Sequence, residues 1–195
     1  MTANVSNVYL VEVSSGQLVK AELHDAILPR HLDHHERLWK PLIQARQEEH
    51  GHWDWQSKCR HYSAQLSYEF LAVECQQETQ GLMIVNTIRR CRLPQQTNKH
   101  LVYVEYLEVA PWNRPHVTVD PKYRLVGTVM LAAAIQLSID DGNKGRIGLH
   151  SLPQADTFYR DRCGMTDLGP DASIFGNLHY FEMTEQQATQ FMQRS

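Results

Sequence analysis

Alternating apolar and polar positions open the chain. Val8 to Val13 alternates with β-branched residues, Ser14-Ser15-Gly16-Gln17 reads as a turn, and Leu18 to Leu23 alternates again, which predicts a hairpin. From Pro29 to about His50 the apolar residues move to helical spacing. Leu32, Leu38, Leu42 and Ile43 are expected to face inward, and Pro41 is expected to split the run into two short helices. Trp53 to Leu66 continues the helical pattern. Three strands are predicted next, Tyr68 to Glu74, Gly81 to Ile88 and Leu101 to Val109, each bounded by polar connectors. Arg124 to Ile139 is the clearest helix: Val126, Val129, Met130, Ala133 and Leu137 share one face, and Gly142-Asn143 stops it. A strand over Arg146 to Leu149, a helix over Ser151 to Arg162, a strand over Asn177 to Met183 and a helix over Glu185 to Met192 complete the chain. The order predicts an α/β (α+β) fold over residues 1–195, a single domain with one mixed, twisted sheet flanked by helices.

Composition narrows the partners. The net charge of −3 gives no general attraction to nucleic acid or to an anionic membrane, so neither is expected as a partner. The most apolar stretch, Val126 to Ile139, is interrupted by Thr128, Gln136 and Ser138 and is too short to span a bilayer. MTANVSNVYL has neither a basic start nor an apolar core, so it does not read as a secretory signal. Cys59, Cys75, Cys91 and Cys163 are scattered without a CxxC pair, which favours reduced thiols and a cytoplasmic protein. His31, His34 and His35 share one helical face. That face reads as exposed and polar rather than as a metal site, and no metal is assigned.

Candidate chemistry begins at Arg124-Leu125-Val126-Gly127-Thr128-Val129, a strand-to-helix junction. The unpaired amides of a helix's first turn face outward there, and the helix dipole favours an anion. About thirty residues on lie Ala155-Asp156-Thr157-Phe158-Tyr159 and Gly164-Met165. With Leu107-Glu108-Val109-Ala110-Pro111 ahead of the junction, the chain resembles the GNAT superfamily of acyl-CoA-dependent N-acyltransferases. Their signature is Q/R-x-x-G-x-G/A, after a strand ending in an apolar-x-Val-x-Pro pattern. The resemblance covers about residues 68–183.

It implies a GNAT-like domain with a splayed central strand pair and acetyl-CoA as cosubstrate. Its pyrophosphate would lie on the amides of Leu125, Val126, Gly127, Thr128 and Val129, with Arg124 adding a charge-assisted bond. The pantetheine arm would lie on the backbone of Leu107 and Val109. Tyr159 is the implied general acid for the departing thiolate, although Ala155, Phe158 and Tyr159 are equally spaced as a core stripe. Many members carry a glutamate where Tyr103 stands. Glu105, one pleat along on the same face, is the expected residue orienting or deprotonating the amine, with Glu108, His150 or a water as alternatives. Trp112, Asn113 and Arg114 with Pro115, together with Trp53, Trp55 and His150, are candidates for the acceptor pocket.

The expected reaction transfers an acetyl group to a primary amine of a small molecule or protein through a tetrahedral intermediate. A homodimer is compatible with this reading. Two rivals stand beside it: a non-catalytic acyl-CoA sensor or interaction module, and a toxin-type aminoacyl-tRNA acetyltransferase, which the acidic balance disfavours.

Overall fold

A computed structural model describes residues 4–114, 117–174 and 176–194. The class is α/β, with a large mixed sheet flanked by helices. The chain divides into two compact units, Met1–Ile84 with Tyr106–Met130, and Val85–Glu105 with Leu131–Ser195.

In the first unit, β1 (Val5–Glu12) and β2 (Leu18–His24) form the predicted hairpin, in register from Val5 opposite His24 to Val11 opposite Leu18. Strand β3 (Tyr68–Cys75) pairs antiparallel with β2, followed in order by β4 (Glu78–Arg90) and β5 (His100–Val109). The two-residue β6 (Tyr123–Arg124) adds to the outer edge of β1, with Val11 opposite Arg124. Arg124 therefore belongs to a strand, and the helix predicted from it, α4 (Val126–Asp140), begins two residues later.

The predicted break at Pro41 takes another form. Helix α1 (Pro29–His34) runs through a π-helical turn (His35–Trp39) into α2 (Lys40–Ala45). Proline cannot donate to the helical ladder and its ring crowds the preceding turn; the wider π turn just ahead of Pro41 accommodates it without a break. The wider turn also resets the helix face. His31, His35, Trp39 and Ile43, four residues apart, are all buried, whereas Leu38 and Leu42 are 39% and 45% exposed. The expected inward positions are thus corrected at both leucines, and the expected exposed histidine face is corrected at His31 and His35. Trp39 and Ile43 join Trp55 of α3 (Trp55–Tyr62), Ala72, Leu82, Ile84 and Ala110 in the apolar core of this unit.

In the second unit the strand order is β4-β5-β7-β9-β8. β7 (Ile147–Ser151) lies parallel to β5, in register from Val102 opposite Ile147 to Val104 opposite Leu149. β9 (His179–Met183) runs antiparallel to β7 and carries an edge strand, β8 (Thr166–Pro170), that the pattern did not signal. The helix expected over Ser151 to Arg162 is a 3-10 turn (Pro153–Ala155) and a π-helical turn (Phe158–Arg162). The terminal helix α5 (Glu185–Arg194) follows. No helix among the described residues is long and apolar enough to cross a membrane.

Candidate functional site

The junction ahead of α4 owes its shape to Leu125 more than to Gly127. Leu125 sits at φ +75°, a left-handed conformation that L side chains adopt only at a cost of about 1–2 kcal/mol. Its carbonyl accepts from Val129 N at 2.9 Å, which makes Leu125 the cap and leaves the amides of Val126, Gly127 and Thr128 ahead of the first helical bond. Arg124 is exposed beside them. In the same unit, Leu107 and Val109 are half-buried on β5.

The acceptor candidates of this unit are committed to internal bonds. Trp112 Nε1 and Asn113 Nδ2 donate to Gln80 Oε1 at 3.0 and 2.8 Å, and Asn113 Oδ1 accepts from Tyr123 N. Pro115 lies outside the described residues. Trp55 is fully buried and donates from its indole to the Glu108 carboxylate. Glu108 also has His35 Nε2 and His50 Nε2 at 3.3 Å and Arg114 Nη2 at 4.0 Å. Burial alone would raise its pKa, but the His35 and His50 contacts outweigh it and hold the carboxyl at about 2. Glu108 is therefore a structural anion, too weak a base to take a proton from an amine.

A second buried cluster brings ligand atoms of His24, His31 and Glu74 within 4.8 Å of one another. It does not fit a cation. Leu28 N donates to His31 Nδ1 at 3.1 Å, so the imidazole proton sits on Nε2, the nitrogen 3.1 Å from Glu74 Oε2. A metal at Nε2 would need the opposite tautomer, and Arg30 Nε already donates to Glu74 at 2.8 Å.

In the second unit, Tyr159 is buried in the π-helical turn against Phe158 and Phe181, and burial raises its phenol pKa. Glu105 forms an ion pair with Arg89 at 3.0 Å and lines a pocket of about 110 Å³ that also contains Tyr103, His150 and Tyr180. Register explains the grouping. Tyr103 stands opposite Gly148 across β5 and β7, and His150 stands opposite Tyr180 across β7 and β9. Partners across strands point to the same face, as do residues two apart along one strand, so all three side chains emerge together.

Tyr103 Oη lies 2.5 Å from His150 Nδ1, and His150 Nε2 lies 3.0 Å from Asp171 Oδ2. Asp171 is fixed by Arg92, Ser173 N and Ser173 Oγ, and these bonds, Arg92's foremost, hold its carboxyl far below the usual range. Of these three, the sequence pattern marks only His150, while Glu105 in the same pocket is the residue expected to handle the amine. Tyr103 looked like a strand residue, and nothing local marks Asp171, which reaches the site from a loop after β8. The four cysteines are free thiols, and burial pushes Cys59 and Cys91 up to about 11 and Cys163 up to about 12, which rules against thiolate nucleophiles.

No protein-family model matches the sequence, and no curated protein matches it either. Solved structures do match by fold. The GNAT domain of S. lividans PAT aligns with a TM-score of 0.58 at 12% identity, over 92% of this chain and 96% of that one. FeeM, an N-acyl amino acid synthase from uncultured soil microbes, aligns at 0.57 with 10% identity, over 87% and 94%. Spermidine N-acetyltransferase from Vibrio cholerae, solved with CoA and spermine, aligns at 0.55 with 14% identity, over 87% and 98%. The chain has the GNAT fold.

Proposed function

We propose that the protein is an acyl-CoA-dependent N-acyltransferase that uses acetyl-CoA to acylate a primary amine of a small molecule or protein. The observation that supports this most directly is the start of α4. A strained Leu125 cap presents three successive amides to an anion, at the position where the GNAT signature lies. In this reading the diphosphate rests on the amides of Val126 to Thr128, Arg124 pairs with a phosphate, and the pantetheine arm lies along Leu107 and Val109. A backbone amide near Val109 polarises the thioester carbonyl. Tyr159, kept protonated by burial, delivers its proton to the departing thiolate. Glu105 holds the amine.

Calorimetry with acetyl-CoA tests the reading, with saturable binding expected. Gly127→Asp places a carboxylate against the diphosphate, while an acidic residue in the first turn suits the helix itself. The variant should melt like the wild type and bind at least tenfold more weakly, about 1.4 kcal/mol or more. Absence of heat with any CoA thioester, together with unchanged behaviour of Gly127→Asp, would refute the proposal.

A further inference from the structure

The Tyr103–His150–Asp171 chain has a defined proton order. Asp171 is ionised and can only accept, so His150 carries its proton on Nε2 and donates it there. His150 Nδ1 then has a free lone pair, and the Tyr103 hydroxyl donates to it. The phenol oxygen keeps lone pairs that can accept from a ligand in the pocket. About 10–15 Å³ of such space admits one water-sized group, so a pocket of about 110 Å³ has room for an amine head. Burial lowers the pKa of His150 and raises that of Tyr103, so near neutral pH the imidazole is free to accept and the phenol keeps its proton. The arrangement matches a hydroxyl–imidazole–carboxylate triad in connectivity.

We infer that Tyr103, His150 and Asp171 form a proton relay that takes the proton an amine acceptor loses as it attacks the thioester. The inference rests on the proposed acyltransferase reading and deepens it. The neutral amine's lone pair forms the C–N bond, leaving an extra proton on nitrogen. That proton passes to Tyr103 Oη while the Tyr103 proton moves to His150 Nδ1, and the resulting imidazolium is stabilised by Asp171. The tetrahedral intermediate expels sulfur with the C–S electron pair, and the thiolate takes one proton from Tyr159. The relay later releases one proton and Tyr159 regains one, so the reaction consumes none overall. Tyr103 is the catalytic residue here, and His150 and Asp171 act through it.

Several charges set the pH response of His150. Asp171 raises its pKa through a hydrogen bond, Arg92 lowers it, and Glu105 raises it. Arg89 and Arg90 line the same pocket, and the Tyr180 ring packs 5.0 Å from the imidazole. Removing Asp171 takes away the strongest raising influence.

Steady-state acylation of an amine panel with acetyl-CoA, followed across pH, tests the relay. Tyr103→Phe should lower kcat by about 10²–10³-fold, within the range for lost acid–base catalysis, with unchanged melting and CoA affinity. His150→Gln should do the same. Asp171→Asn should lower kcat and move the acid limb of the pH profile to lower pH. Glu105→Gln, which removes the group proposed to hold the amine, should raise KM more than it lowers kcat. If the wild type acylates amines and Tyr103→Phe retains its kcat, or Asp171→Asn leaves the acid limb in place, the relay is refuted and the acyltransferase reading stands. If the wild type neither binds CoA thioesters nor acylates any amine, both fall.

Discussion

Replacing Gly148 with alanine tests how closely the strand carrying His150 is packed against Tyr180. An added Cβ would lie 2.6 Å from the Tyr180 hydroxyl, 3.3 Å from Tyr180 Cζ and 3.2 Å from Leu101 Cδ2. The phenol has little freedom to retreat: Tyr180 is 3% exposed, donates to Glu182 at 2.9 Å, and packs beneath the Arg92 guanidinium at 4.2 Å. Forcing a methyl into such a site costs about 1–3 kcal/mol. Weakening the Tyr180–Glu182 hydrogen bond adds about 1 kcal/mol, for a total of about 2–4 kcal/mol. At about 2–4 °C per kcal/mol for a chain of this size, Tm should fall by about 5–15 °C. Tyr180→Phe alone should cost only about 1 kcal/mol, because Glu182 keeps Arg92 N, Leu93 N and the Gln96 side chain. In the double variant the alanine no longer meets a hydroxyl, so the two losses should fall short of additive by about 1–2 kcal/mol. Urea denaturation of the four proteins reads this cycle. Strict additivity, or a Gly148→Ala protein as stable as the wild type, would refute the packing argument.

Two further outcomes follow from backbone and burial. Gln76 and Gln77, both exposed, occupy the turn between β3 and β4 at φ +51° and +63°, where asparagine and glycine sit more comfortably. Gln76→Asn with Gln77→Gly should therefore gain about 1 kcal/mol, seen as a Tm rise of about 2–4 °C, and a fall would contradict the assigned turn. Burial lowers His31 from 6.5 to about 4, so its neutral form favours folding fully above pH 6.5. That contribution, up to about 3 kcal/mol, is lost as pH falls from 6.5 toward 4. Urea midpoints should drop more steeply over that window in the wild type than in His31→Gln, and parallel curves would show that His31 charges freely in the folded state.

The legible parts of this chain are those whose signal is local. Strands β3 to β5 and helix α4 have periodic runs long enough to declare themselves, and Gly142, at φ +76°, stops α4 where the sequence places the stop. The first helix misled because its buried residues repeat every four positions, a spacing that arises only once the π turn before Pro41 forms. β8 has one apolar side chain, Leu168, beside Gly169 and Pro170, so its pairing with β9 comes from the partner strand and not from its own pattern. The strain ahead of α4 falls on Leu125, which no rule of sequence assigns to a left-handed backbone.

The second-unit pocket was illegible for a further reason, since its members meet through sheet register. Tyr103 reaches His150 because β5 pairs parallel with β7, and because Gly148, opposite Tyr103, leaves its side-chain space to the Tyr180 hydroxyl. A one-residue slip in that pairing would turn Tyr103 to the opposite face and break the relay. The glycine that permits this close packing thus lies in the strand pairing on which the proposed relay depends. The stability cycle at Gly148 and Tyr180 and the kinetic test at Tyr103 interrogate one piece of geometry from two sides.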